Sequence, residues 1–393
     1  MLDILSQVKV LDLTTNVAGP FCTLILADLG ASVWKVEGPE GDVVRRWPPF
    51  AADGTSTAFV ALNRGKQSVQ LDLKQPAGRM AFLRLARAAD VMVSSVRPGG
   101  LDRLGLDRAT LAAQNPGLIV ADISAYGGRG ERGGRPGYDA VIQAYTGLMD
   151  LTGYPGQPPA RVGTGLVDMG TGMWAALGIV SSLLNRERDG QGADVHATLF
   201  GTAVGFLVHH LAAVELAGAA PTRIGTAQHN TAPYEAFACS DGMVMVGVTS
   251  QGLWRVFCQA VGAPELADHP DYCSNDARVL ARAKLHEVLE SRSRSLSCAE
   301  FAARLEAAGV PCSPIRTVAD LAADPVLDQA GLWQLTEHGG NAAAVPLYLG
   351  DQAPAIGSRA PALGMHTSQV LAEAGAADGE IEELTAPTDR QEP

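Results

Sequence analysis

Short runs rich in Val, Ile and Leu recur through the first third of the chain, from Lys9 to Leu13, Ser32 to Glu37, Ser68 to Leu73, Asp90 to Ser94 and Leu118 to Ile123. Between them, Phe21 to Leu29 and Ala77 to Ala88 have helical character, and Asn115-Pro116 is a stop before the fifth run. Strand-like runs that alternate with helical stretches predict an α/β fold, a parallel sheet with helices on its faces. Open sheets of this kind bind ligands beyond the carboxyl ends of their strands. Attention therefore falls on Thr14 to Pro20, Gly38 to Trp47, Lys74, Ser95 to Gly99 and Ser124 to Arg135.

An apolar helical run, Met173 to Leu184, follows, and a second one spans about 197–220. His209, His210 and Glu215 interrupt the second, which predicts a buried or interface helix rather than a membrane span. Neighbouring histidines on a helix point to different faces, so a structural role is expected for them rather than joint metal ligation. The texture then changes. Tyr234 to Cys239 and Met243 to Val248, joined by Asp241-Gly242, read as a hairpin, and helical segments rich in Ala, Leu and Arg run from about Leu253 to Ala308. Val310 to Ile315, Thr317 to Ala323 and a Pro/Gly/Ala-rich tail after Ala353 read as a chain that returns to the first domain. The division expected is a large Rossmann-like domain over 1–200, a helical linker over 201–225, a smaller α+β domain over 226–325 and a C-terminal return over 326–393.

Composition narrows the function classes without naming one. A chain of 393 residues exceeds the usual size of a single core, and its 47% hydrophobic and 18% charged content describes a folded globular protein. A formal net charge of −12 argues against nucleic acid as a partner, because phosphate backbones are held by clustered Lys and Arg. The six cysteines show no CxxC pair or Cys/His metal spacing, and Met1 to Val8 does not read as a targeting segment. The expectation is a cytoplasmic protein with reduced thiols, no membrane association and no metal. Cys22 lies in an apolar helical stretch without a nearby His and reads as a buried thiol rather than a nucleophile.

Asp168 stands apart. Its neighbours Gly165, Leu166, Val167, Met169, Gly170 and Gly172 offer no cation, and a helix follows. One reading makes it the cap of that helix, since Asp accepts the orphan N–H groups of a helix start. The other makes it a nucleophile, a carboxylate near a helix N-terminus among glycines that admit a ligand to the backbone.

Several separated strings occur in one order: Val17-Ala-Gly-Pro20, Leu26-Ala-Asp-Leu-Gly-Ala31, Asn63-Arg-Gly-Lys66, Leu71-Asp-Leu-Lys74, Arg97-Pro-Gly99, Asn115-Pro116, Pro136-Gly-Tyr-Asp139 and Asp168 with Gly172. Together they resemble the class III CoA-transferases, the family of formyl-CoA transferase and carnitine CoA-transferase that is homologous to α-methylacyl-CoA racemase. The resemblance implies a large Rossmann-like domain built from both chain ends, a small middle domain, and a homodimer of interlocked rings. It implies CoA transfer between carboxylic acids, with acyl-CoA and a carboxylic acid acceptor as substrates, no tightly bound cofactor, and Asp168 as the nucleophile. Ala18 would line the reacting groups. Arg97, Arg103 and Lys74 would meet the CoA phosphates, and Leu71 and Leu73 its adenine. Trp47 would flank the substrate pocket, and Asp139 would orient the backbone or substrate or cap a helix. Tyr138 stands where the racemase branch has His, which implies transfer rather than racemisation, since an ordinary tyrosine is a poor base at neutral pH. The sequence departs from the family pattern at Val17, Gly38 and Ser95. The glycine-rich run of formyl-CoA transferase has no counterpart at Gly247 to Gln251, which implies a small or medium acid other than a formyl/oxalate pair.

Overall fold

The computed structural model describes residues 2–350, 352 and 355–386; of the tail expected after Ala353, residues 353–354 and 387–393 lie outside them. The chain divides into two compact units. The larger unit takes the chain up to Thr146, then Val162–Leu207, then Pro325 onward, and the smaller takes Gly147–Arg161 and Val208–Asp324. In this division 201–207 falls with the large unit, and 147–161 and 208–225 fall with the small one.

In the large unit, strands β1 (Lys9–Leu13), β2 (Ser32–Glu37), β3 (Lys66–Gln70), β4 (Val91–Ser94), β5 (Ile119–Ser124) and β6 (Asp194–Thr198) form one parallel sheet in the order β3-β2-β1-β4-β5-β6. Strand β3 begins earlier than its apolar pattern suggested, because polar Lys66 and Gln67 pair with Val33 and Trp34. Helix α1 (Ala18–Asp28) and the long helix Leu166–Asp189 pack over one face, where Val10, Val33, Val93 and Ile119 meet Leu26, Ala175 and Ile179. The other face carries the helix Pro76–Ala88, whose Phe82 and Leu85 close over Leu11, Trp34, Val69 and Met92. The C-terminal return covers the β3 edge: Gln70 donates to Thr367 Oγ1 at 2.9 Å, and Val370 and Leu371 are fully buried. An edge strand covered in this way is no longer a template for unwanted pairing.

The small unit has an antiparallel sheet of Tyr234–Ala238, Met243–Gly247 and Cys312–Pro314. Trp254, Phe257, Leu285, Leu289 and Phe301 from its helices pack on Phe237, Val244 and Val246. The expected apolar stretch near 197–220 is two helices, Leu199–Phe206 and Val208–Ala217. The rings of His209 and His210 lie with centroids 3.9 Å apart and planes tilted by 39°, which corrects the expectation that they diverge. Side-chain reach closes the angle that the helix opens between neighbouring Cα–Cβ bonds. Among the described residues no group of three or more potential metal ligands forms.

The long helix is the one helix among the described residues whose length and composition would suffice to cross a membrane. One of its faces lies on α1 and the sheet, and the other leaves Met173, Trp174, Leu177 and Leu184 exposed. It meets the backbone of α1 at Gly172, where an added Cβ would lie 2.6 Å from the Ala18 carbonyl oxygen and 3.0 Å from the Cys22 amide. Both are backbone atoms, so the helices would have to separate. Gly172→Ala is expected to destabilise the fold by about 2 kcal/mol, as overpacking of a core does. Denaturant unfolding checks this, and an unchanged midpoint would show that the contact yields freely.

Candidate active site

Strand order reverses direction between β1 and β4, and at such a switch point the loops after the two strands part to leave a crevice. The loop after β1 and the loop after β4 line a cavity of about 250 Å³ there, with Asn16, Ala18, Ser95, Arg97, Tyr138 and Asp168 on its walls. A second cavity of about 300 Å³ shares Arg97 and Ser124 with it but does not reach Asp168. The smaller cavity is the one with the chemistry.

Asp168 occupies the third position of the long helix, whose N-cap is Gly165. The capping reading is therefore wrong for Asp168 and right for Asp139. From the first turn of the helix Asp139–Thr146, Asp139 reaches across and accepts from the amides of Val167 at 2.8 Å and Asp168 at 3.1 Å. Gln143 donates to its other oxygen at 2.6 Å and accepts from the Val162 amide at 2.9 Å. Asp139 is only 6% exposed and is absent from the cavity wall, so it holds backbone and not substrate.

Asp168 is left with nothing. Among the described residues no hydrogen bond or ion pair reaches its carboxyl. Burial pushes the group up to about 7, and the negative charge of Asp139 adds to the shift. A carboxylate of high basicity, half ionised near neutrality and without a stabilising donor, is a stronger nucleophile than an ordinary aspartate. The N-terminus of α1 lines the same cavity through Ala18 and Gly19, so the positive end of a helix dipole shares it with the carboxyl. Asn16, one residue before the N-cap Val17, has a left-handed φ of 66°, unusual for a residue other than glycine.

The other expected residues divide. Arg97 lines the cavity and is held at the start of a turn in which Pro98 is followed by Gly99 at φ 75°, the pattern of a type II turn, closed by the Gly100 amide on the Arg97 carbonyl at 2.8 Å. Arg103 is exposed on the short helix that follows, with its guanidinium over Gly99 and Gly100. Tyr138 stands on the rim with 66% of its surface exposed. Lys74, exposed, and Trp47, partly exposed, lie outside this cavity wall. Leu71 is 2% exposed and Leu73 half-buried, both packed in the core under helix Pro76–Ala88. An adenine contact through Leu71 is corrected accordingly, since a side chain committed to the core offers a ligand no surface. Arg135, on the same wall as Asp168, was visible only as the end of a loop after β5.

A family model described as CoA-transferase family III matches residues 5–367. The chain belongs to this family. It is 35% identical over 389 residues to the succinyl-CoA:mesaconate CoA-transferase of Haloarcula hispanica, covering 95% of this chain and 97% of that one. It is 39% identical over 315 residues to the acetyl-CoA:oxalate CoA-transferase of Acetobacter aceti, covering 80% and 81%. The crystal structure of a CaiB/BaiF family protein from Brucella suis superposes with a TM-score of 0.85 at 36% identity, over 93% of this chain and 98% of that chain. This CoA-transferase therefore takes CoA thioesters as substrates.

The raised Asp168 carboxyl has a consequence for stability. In the unfolded chain an aspartate loses its proton near pH 4, whereas in the fold this one keeps it to about 7. The stabilisation from the protonated group is complete below pH ~4 and is lost as pH rises through about 7. Asp168→Asn, which cannot ionise, is expected to match the wild type at pH ~4.5 and to exceed it at pH ~8 by on the order of 2 kcal/mol, discounted for solvent screening. Urea unfolding at the two pH values measures this, and a difference independent of pH would refute it.

Proposed function

We propose that this CoA-transferase moves CoA between carboxylic acids by covalent catalysis at Asp168. The observation that carries the reading is the unpaired, proton-hungry carboxyl on the wall of the switch-point cavity. Ionised Asp168 attacks the thioester carbonyl; the C–S bond breaks, CoA leaves as thiolate and a mixed anhydride forms. The thiolate attacks the Asp168 carbonyl carbon and expels the first acid as its carboxylate, leaving an aspartyl-CoA thioester. The acceptor carboxylate attacks that carbon, a second anhydride forms, and CoA thiolate takes the acceptor's acyl carbon and returns Asp168 to its free form. Every step keeps the energy of the thioester in a covalent bond.

Each tetrahedral intermediate places negative charge on oxygen, and fixed amides aimed at it are the main electrostatic aid. The Ala18 and Gly19 amides, at the start of α1 where no preceding turn accepts them, are assigned that task. Arg97 and Arg103, two cations on one turn, are assigned to the CoA phosphates. Succinyl, mesaconate and oxalate in the names of the relatives are dicarboxylic. We take the acceptor to be a short dicarboxylic acid, oxalate among those to be tried, with Arg135 as the cation for its second carboxylate. The exposed apolar stripe of the long helix, Met173, Trp174, Leu177 and Leu184, is assigned to a second copy of this chain, because a stripe of this kind marks an interface. Sedimentation of the protein as a dimer is expected, and a monomer at micromolar concentration would contradict that assignment.

The activity test is CoA exchange from succinyl-CoA to a panel of mono- and dicarboxylic acids in deuterated water. Transfer to a dicarboxylic acid without deuterium at the acyl α-carbon is expected, and Asp168→Asn should lose at least roughly 10⁴-fold of the rate. Deuterium uptake without an acceptor would identify proton abstraction instead. A folded Asn variant with substantial transfer would remove Asp168 from the chemistry.

A further inference from the structure

Beneath the loop Thr14 to Pro20, four ionisable side chains are buried to 1% exposure or less: Asp12 on β1, Lys35 on β2, Lys66 on β3 and Asp42 in the segment after β2. Lys66 Nζ lies 3.1 Å from Asp12 Oδ2, and Lys35 Nζ lies 2.9 Å from Asp42 Oδ2. Two cations face two anions, so the cluster carries no net charge. Ion pairs this deep give the fold little net stability, because the cost of removing four charges from water absorbs most of what their attraction returns. Apolar residues of similar size would fill the same space. Stability alone is therefore a poor account of the cluster.

What the four groups hold is more informative. The Thr14 amide and hydroxyl both donate to Asp12 Oδ1, at 3.0 and 2.5 Å. Lys35 Nζ donates to the Thr14 carbonyl at 2.9 Å. Lys66 Nζ donates to the Pro20 carbonyl at 3.0 Å and to Asn63 Oδ1 at 2.9 Å. The Asn16 amide points at Asp42 Oδ1, 3.4 Å away, and Thr23 on α1 donates to Asp12 Oδ2 at 2.6 Å. Both ends of the loop, and its left-handed residue Asn16, are thus tied to the cluster. Between those ties lie Val17, Ala18 and Gly19, which line the same cavity as Asp168.

We propose that Asp12, Lys35, Asp42 and Lys66 are positioning residues of the transferase reaction, a buried ionic clamp that fixes the Ala18 and Gly19 amides against the acyl group held at Asp168. None of the four lines the cavity with Asp168; they act through the loop. The inference rests on the reading of Asp168 as the nucleophile. It explains why charged residues stand in the interior of an apolar sheet, and why the backbone conformation at Asn16 is kept. A loop displaced by about 1 Å is enough to cost a reaction of this kind ~10²-fold, because the amides must meet an oxygen that exists only in the transition state.

Lys66 is the member whose charge is within reach of experiment. Burial pulls its pKa down to about 8; Asp12 opposes the fall, Lys35 adds to it and Asp42 opposes it. The other ionisable group beside it is Cys22 on α1, whose thiol burial pushes far above its ordinary value, so it stays neutral through the same range. As pH rises through about 8 the clamp loses one positive charge and Asp12 loses its partner. Asp168 must be ionised, which requires pH above about 7, so the rate should pass through a maximum between the two.

The experiment measures kcat and KM from pH ~5.5 to ~9.5, with succinyl-CoA and the dicarboxylic acid of fastest turnover, for the wild type, Lys66→Met and Thr14→Val. The wild type should lose kcat reversibly above pH ~8. Lys66→Met, folded by circular dichroism and melting, should lose kcat ~10²-fold with KM for succinyl-CoA within about threefold, and should show no alkaline fall. Thr14→Val, which removes one hydroxyl tie to Asp12, should lose kcat by a smaller factor with the alkaline fall kept. A folded Lys66→Met enzyme with wild-type kcat would overturn the inference. If Lys66→Met does not fold, a wild-type kcat that is flat to pH ~9.5 together with an unchanged kcat in Thr14→Val would overturn it as well. Failure of the nucleophile reading is recognised separately, as transfer by Asp168→Asn, and leaves these profiles with no reaction to position.

Discussion

Burial without a partner sets the character of Asp168, and Asp139, which takes two backbone amides at the start of the long helix, adds to it. A carboxylate in the first turn of a helix ordinarily gains from the orphan N–H groups and the dipole, and its pKa falls. Here a second carboxylate has been placed on those donors from a neighbouring helix, buried and fixed by Gln143. The helix start is capped, so the fold is satisfied. The pKa of Asp168 beside it is raised by its own burial and, to a lesser degree, by the negative charge of Asp139. A carboxyl held high in this way is the basis of the proposed chemistry, with burial the larger cause and Asp139 the smaller.

The remaining parts of the site follow from where that helix lies. Gly172, one turn beyond Asp168, brings the long helix against the backbone of α1. α1 starts at the end of the loop after β1, so the contact also brings Asp168 to the cavity that Ala18 and Gly19 line. Arg97 enters from the loop after β4, the neighbour of β1 at the point where strand order reverses. Asp168, Ala18, Gly19 and Arg97 therefore come from three segments distant in the chain, and the sheet's connectivity gathers them on one cavity. The ionic clamp beneath the loop belongs to the same logic, since a helix start with no side-chain cap of its own is held from below.

Much of this was legible in the chain. The strand runs at Lys9, Ser32, Asp90 and Leu118 lie within one residue of the observed starts, because strands buried on both faces are written in Val, Ile and Leu. Lys66 and Gln67 hid the start of β3, since nothing local distinguishes a buried lysine from a solvated one. Asp168 stood out through its lack of a cation, and of its two readings the cap fails: the amides go to Asp139, 29 residues earlier, and only tertiary structure brings the two together. Leu71 sat on a matching string but in the core. Lys35, inside the run VWKVE, and Asp12, inside VLDL, carry no sign in the sequence of being strand neighbours, which the sheet register makes them.

The most direct measurement is the mass of the intact wild-type protein after incubation with succinyl-CoA in the absence of an acceptor acid. If Asp168 carries the transfer, a fraction of the protein should gain CoA joined with loss of water, and hydroxylamine should convert that adduct to a hydroxamate on the peptide that contains Asp168. An unmodified protein that still exchanges CoA once an acceptor is added, or a hydroxamate placed on any other residue, would contradict the account.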